Sequence, residues 1–359
     1  MKNRVLVIGT GTIGEPLIGL LARLSEEFGI DELYFHKRTP LDYEVAKVNS
    51  LIEQGARLVV DKDKVSQFQD LGHEPAATFD DALVSSAVVI DCTPAGNHNK
   101  DEHYLGLDAL SKSKLFIAQG SEKGFGIPYA HGINDIVLEK TTVDPFVQVV
   151  SCNTHAISRI IKAVDPGLGR LVKSGDFVCI RRSNDASQDS GFTPSPTCGK
   201  HSDDLFGTHH ARDVHDLFKT FKNSDMELTS SAMKVNSQYM HVVRFQLRLA
   251  DSNFSKDEVL QRFKEDPFVS TTKHMTANKV FSFGRDHGFY GRIYNQTVLC
   301  EPSIQVMKTK DGTIVNGFAF TPQDGNSLLS SIAACLYGLH KEDYRKYLAH
   351  FHQFLKGQV

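Results

Sequence analysis

The chain opens on an apolar run, Val5-Leu6-Val7-Ile8, that ends at a glycine. Helical spacing follows from Ile13 to Leu24, with Ile13, Leu17, Leu20, Leu21 and Leu24 on one face. The same alternation then repeats in short units. Leu33–His36 reads as a strand, Tyr43–Leu51 as a helix, Arg57–Val60 as a strand and Asp80–Val84 as a helix. Ala87–Asp91 and Lys114–Ala118 are further apolar runs, closed by Thr93-Pro94-Ala95-Gly96 and by Gln119-Gly120. Short strands alternating with helices predict a parallel sheet covered on both faces, because each crossover lays a helix across the sheet.

The pattern changes after about Val150. One helix, Thr154–Val164, precedes longer strand candidates: Phe177–Arg181, Glu227–Val235, Met240–Leu249, Val298–Met307 and Thr313–Phe320. Strands with few helices between them predict a mostly antiparallel sheet. The stretch 183–204, rich in Ser, Asp, Gly and Pro, reads as a long excursion, and Asn326–Leu355 returns to helical spacing. The expected fold is α/β, with a Rossmann-type dinucleotide-binding domain (1–150 plus 326–359). A second, α+β catalytic domain (151–325) is built on the mostly antiparallel sheet.

Composition narrows the class without naming a function. A length of 359 residues accommodates two domains, and a net charge of −3 gives no basic footprint for nucleic acid. No apolar run approaches the roughly 18 residues of a membrane span. Met1-Lys2-Asn3-Arg4 passes straight into the first strand, with no signal-peptide pattern, so a cytoplasmic protein is expected. The 6 cysteines are scattered with no CxxC pair, and each is read first as a small buried hydrophobe with a reduced thiol.

Three segments carry candidate chemistry. Gly9-Thr10-Gly11-Thr12-Ile13-Gly14 fits G-x-G-x-x-G after a strand and before a helix, the context that a dinucleotide site requires. Gly9 allows the tight turn, Gly11 the approach of a pyrophosphate and Gly14 close helix–strand packing. The second strand ends in Lys37-Arg38, where a site selective for NAD usually carries an acid. Two cations there lean toward the 2′-phosphate of NADP. Cys152, in Val149-Val150-Ser151-Cys152-Asn153-Thr154, stands between an apolar strand and a helix start. The helix dipole is expected to lower its pKa and make it a nucleophile. Cys198, His201, Asp203, Asp204, His209, His210 and His215 crowd one polar stretch, but no second pair has zinc-like spacing and no metal is expected.

These segments resemble the archaeal-type (type II) phosphorylating glyceraldehyde-3-phosphate dehydrogenases. The resemblance rests on the glycine turn, Val89-Ile90-Asp91-Cys92-Thr93-Pro94, Ala118-Gln119-Gly120 and Val149–Thr154. Arg181-Arg182, His209-His210, Met240-His241 and Gln323 follow in the family's order. It implies Cys152 as nucleophile and His241 as its acid/base partner. It also implies cofactor contacts from Thr12, Ile13, Gly120, Arg182 and Gln323, and substrate contacts from Ser151, Cys152, Asn153, His209 and His210. The implied ligands are NAD or NADP, a phosphorylated aldehyde and inorganic phosphate, in a homotetramer. Departures stand at His155-Ala156, where the family has Thr-Gly, at Ala211-Arg212-Asp213 in place of Gly-Pro-Asp, and at Ile8 in place of a common Asn. A relative such as aspartate-semialdehyde dehydrogenase, or a silent NADP-binding homologue, is the alternative.

Overall fold

Two sheets carry the apolar runs of the chain. The computed structural model describes residues 2–106, 115–120, 122–185, 188, 190–222, 225–251, 253–322 and 324–359. Its backbone divides into two compact units: Met1–Tyr129 with Ile136–Val149 and Ser330–Gln353, and Ala130–Asp135 with Val150–Leu329 and Phe354–Val359.

The first unit is built on β1 (Arg4–Ile8), β2 (Glu32–His36), β3 (Arg57–Val60), β4 (Ala77–Thr78), β5 (Val88–Asp91), β6 (Leu115–Gln119), β7 (Ile127–Tyr129) and β8 (Phe146–Val149). Their order is β4-β3-β2-β1-β5-β6-β8-β7, with every neighbouring pair parallel. The strand order reverses beside β1, which makes the carboxyl ends of β1, β2 and β5 the expected ligand crevice. β2, β5, β6 and β8 are buried along their whole length, as strands covered on both faces must be. Leu17, Leu20 and Leu21 of helix Gly14–Arg23 are buried as their spacing predicts, Ile18 is buried beside them, and Ile13 is half-buried. The helical spacing near the chain's end resolves into Leu328–His340 and Tyr344–His352, separated where Lys341 takes a φ of 52°.

The second unit contains β9 (Val172–Arg181), β10 (Thr197–Cys198), β11 (Glu227–Lys234), β12 (His241–Leu249), β13 (Val269–Thr272), β14 (Thr297–Cys300), β15 (Gln305–Thr309) and β16 (Gly312–Thr321). The order is β10-β11-β9-β12-β16-β14-β13, with β15 beside β16. This sheet is mixed: β11 runs parallel to β9 and β13 parallel to β14, and the other pairs are antiparallel. The reason lies in helices that the strand-rich reading did not foresee. His209–Lys219 separates β9 from β11, and Ala277–His287 separates β13 from β14. A parallel pair needs such a crossover. The single strand expected over Val298–Met307 is two strands, because Pro302 opens a 3-10 turn at Glu301–Ser303 and cannot donate to a ladder. In the stretch 183–204 the described residues form only β10, and 186, 187 and 189 lie outside the description. Among the described residues no helix is long and apolar enough to cross a membrane.

Candidate active site

The glycine turn is shaped for an anion. Gly9 sits at a φ of 92°, and its N–H reaches the His36 carbonyl at 3.2 Å, tying the turn to β2. A Cβ on Gly14 would stand 2.0 Å from the Gly9 oxygen, so only glycine lets the helix start this close to the strand. A Cβ on Gly11 would meet nothing within 4 Å, so its backbone lies bare where a pyrophosphate would rest. Ile13 caps helix Gly14–Arg23 without a side-chain bond, which leaves the helix start open to an anion. Thr12 and Ile13 are half-buried in the turn, and Gly120 follows β6 with its N–H on the Val149 carbonyl at 2.9 Å. These features fit a dinucleotide.

A cavity of about 480 Å³ opens beside the turn, at the ends of β1, β2, β3 and β5. Lys37 and Arg38 both line it, with different consequences. Lys37 is 8% exposed and its Nζ lies 2.5 Å from Glu44 Oε2. Its charge is already balanced. Arg38 is exposed and makes no ion pair among the described residues, so it is the open cation of this pair.

The thiol site is built within the second unit. Ser151 caps helix Cys152–Val164: its Oγ accepts from the Thr154 N–H at 3.3 Å and lies 2.8 Å from the Thr154 hydroxyl. Cys152 is therefore the first helical residue, half-buried. Asn326, which sequence reasoning did not single out, donates from Nδ2 to the Cys152 carbonyl at 2.9 Å. Arg159, deeper in the helix, anchors it through Gln296, Asp266 and the His131 carbonyl. Asn153 is buried and its Oδ1 finds no partner among the described residues. His155 is buried too. Its Nδ1 lies 3.0 Å from the Ser151 carbonyl and burial holds its pKa down to about 4, so this departure brings bulk but no charge to the helix start.

The expectation of a lowered thiol pKa is overturned. Burial pushes Cys152 up to about 11, and the opposing pull of Arg182, Arg181 and the Asn153 N–H does not recover it.

The register of β12 on β9, Val242 against Ile180, sets the start of one strand beside the end of the other. His241 is 5% exposed, and the Arg182 backbone N–H donates to its Nδ1 at 2.9 Å. That nitrogen must carry a lone pair, so the ring proton sits on Nε2. Burial, with Arg182, Arg181, His210 and Lys234 around it, holds His241 well below the usual histidine range. The ring is a neutral donor through Nε2. It is not set up to take a proton at Nδ1.

Arg182 itself is 2% exposed, with its guanidinium on Asp324 at 3.1 Å and Asp185 at 2.9 Å. It is committed to this network, and burial pushes the Asp324 carboxyl up even beside the guanidinium. Gln323, its neighbour, lies outside the described residues. Arg181, quoted in the sequence but given no role there, makes no ion pair among the described residues. Its charge acts on Cys152, His209, His210 and His241 alike. The two histidines open helix His209–Lys219 with ring centroids 4.0 Å apart. His210 is buried with Nδ1 3.0 Å from Thr208 Oγ1, and burial lowers its pKa to about 3, while His209 is exposed. Cys152, His241, His209 and His210 thus share one cationic field. Among the described residues no group of three or more His, Cys, Asp or Glu gathers as a metal site would need.

No family model matches the chain. Known proteins do. A glyceraldehyde-3-phosphate dehydrogenase of Pyrobaculum calidifontis is 29% identical over 274 residues, covering 74% of this chain and 72% of its own length. One from Methanocaldococcus jannaschii is 26% identical over 325 residues (86% and 87%), and one from Methanopyrus kandleri 27% over 330 residues (86% and 85%). By sequence, the chain is similar to these archaeal proteins, each named glyceraldehyde-3-phosphate dehydrogenase.

Proposed function

We propose that the chain is a phosphorylating glyceraldehyde-3-phosphate dehydrogenase, which converts glyceraldehyde 3-phosphate, phosphate and NAD(P)+ to 1,3-bisphosphoglycerate and NAD(P)H. One observation carries the reading: a half-buried thiol at a helix start, sharing the field of Arg181, which makes no ion pair among the described residues, with a neutral histidine donor and a histidine pair. Bound NAD(P)+ supplies the hydride acceptor. Cys152, after losing its proton to solvent, adds through sulfur to the aldehyde carbon, and the carbonyl electrons move onto oxygen. The Nε2–H of His241 donates to that oxyanion. Loss of hydride from the same carbon restores C=O and leaves a thioester on Cys152. Inorganic phosphate then attacks this carbon, the C–S bond breaks, and the thiolate leaves as the acyl phosphate forms. Arg181, His209 and His210 hold the anionic substrate groups, with Ser151 and Asn153 shaping the floor.

In this reading residues 1–150 with 326–359 bind the cofactor and 151–325 carry the chemistry, in a cytoplasmic homotetramer. NADP is favoured, with Arg38 rather than Lys37 meeting the 2′-phosphate, because the Lys37 charge is balanced by Glu44. An Arg38→Gln variant is expected to weaken NADPH binding about tenfold and NADH binding little, as the loss of one charge-assisted hydrogen bond predicts. Equal weakening of both removes Arg38 from the site.

The direct test mixes the protein with glyceraldehyde 3-phosphate, phosphate or arsenate, and NAD+ or NADP+, and follows absorbance of the reduced nicotinamide. Signal that depends on phosphate supports the reading. Silence with both cofactors, or equal rates without phosphate, overturns it.

A further inference from the structure

The cavity beside the glycine turn contains a second titratable device, separate from Lys37 and Arg38. His36, the last residue of β2, lines it and is buried. Its Nε2 lies 2.9 Å from Asp61 Oδ1, just past β3, and its ring packs on Phe79 at 4.7 Å. The other ring nitrogen, Nδ1, has no hydrogen-bond partner among the described residues. Nothing in the glycine fingerprint requires a histidine at the end of β2.

We propose that His36 reads the 2′ position of the dinucleotide, and that its protonation shifts the choice from the 2′-hydroxyl of NAD toward the 2′-phosphate of NADP. The proposal rests on the reading of the first unit as a dinucleotide site. With Asp61 accepting from Nε2–H, neutral His36 offers a lone pair at Nδ1, which suits a ribose hydroxyl donor. Protonated His36 offers N–H at both nitrogens, and Nδ1–H suits a phosphate oxygen. One atom changes from acceptor to donor. The hydrogen bond from His36 holds the Asp61 carboxyl below the usual range.

Other charges face the same space. Arg38 is the permanent cation, and Lys37 is paired with Glu44. His98 and His103 lie 3.1 and 3.8 Å from the Glu102 carboxylate that they share. Lys62, Asp63 and Asp80 line an adjoining hollow with Asp61 and His103. The second ionisation of the 2′-phosphate, near pH 6, also falls in this range. The test therefore compares the wild type with variants that keep all of these.

NADPH and NADH are titrated by nicotinamide fluorescence between pH 6 and 8.5 in the wild type, His36→Gln and Asp61→Asn. The ratio of the two dissociation constants, NADH over NADPH, is expected to rise as pH falls, by about tenfold more in the wild type than in His36→Gln. Glutamine keeps a bond to Asp61 but does not titrate. In Asp61→Asn the same rise is expected at lower pH, since the carboxylate that favours the imidazolium is gone. Identical ratios in wild type and His36→Gln at every pH, or an unshifted rise in Asp61→Asn, overturn the proposal while leaving a dinucleotide site. Failure of the wild type to bind either nucleotide overturns the dinucleotide reading, and this proposal with it.

Discussion

Replacing Cys152 with serine removes phosphate-dependent nicotinamide reduction by about 10⁴-fold or more, while NADPH still binds. The expected loss is this large because no step of the acyl transfer proceeds without a covalent sulfur adduct. No other thiol takes over. Cys179 and Cys335 are buried in apolar surroundings that push both up to about 12, and Cys198 stands exposed in β10. Retained activity in Cys152→Ser places the nucleophile elsewhere. The ligand-free thiol has its own signature. With Cys152 pushed up to about 11, only the thiolate reacts, so inactivation by iodoacetamide speeds up about tenfold per pH unit up to that value. A rate that levels off near neutral pH shows that a base has already ionised the sulfur.

The second large effect separates two roles for His241. As a donor of Nε2–H to the oxyanion, its removal in His241→Ala lowers kcat about 10²–10³-fold, the range for losing one oxyanion donor. His241→Gln retains an N–H donor in nearly the same place, so most of that loss is recovered. Its amide oxygen can also accept from the Arg182 N–H, which alanine leaves buried without a partner at a cost of about 1–3 kcal/mol of stability. A base would behave differently. Glutamine would then be as inactive as alanine, and the acid limb of the pH–rate profile would vanish in both. Measuring kcat against pH in the two variants, with thermal unfolding alongside, separates the outcomes.

Much of this architecture is legible along the chain because it is local. The parallel sheet follows from fully apolar runs separated by helical spacing, and the phosphate cradle from three glycines at fixed offsets. Ser151 before Cys152 is a helix cap written in sequence. A further signal was present but not used. Ser255-x-x-Glu258 is a capping box and opens helix Lys256–Glu265, whose few buried residues, Val259 and Phe263, were hidden among charges. Helix His209–Lys219 was legible as well, since its buried apolar residues Ala211, Val214, Leu217 and Phe218 stand at helical spacing. Missing the crossovers is what turned a mixed sheet into an antiparallel expectation.

The sequence by itself determined which residue types stand at which turns: glycines at the first crossover, cations after β2, a cysteine at a helix start. Only the tertiary structure decided their electrical state. Glu44 balances Lys37, Asp185 and Asp324 occupy Arg182, and the Arg182 N–H sets the tautomer of His241. Burial raises the thiol that the helix start was expected to lower. The physical reason is that charge and spacing are properties of the chain. Desolvation and pairing depend on what a group meets across the fold, and Arg182 meets partners 59 and 142 positions away.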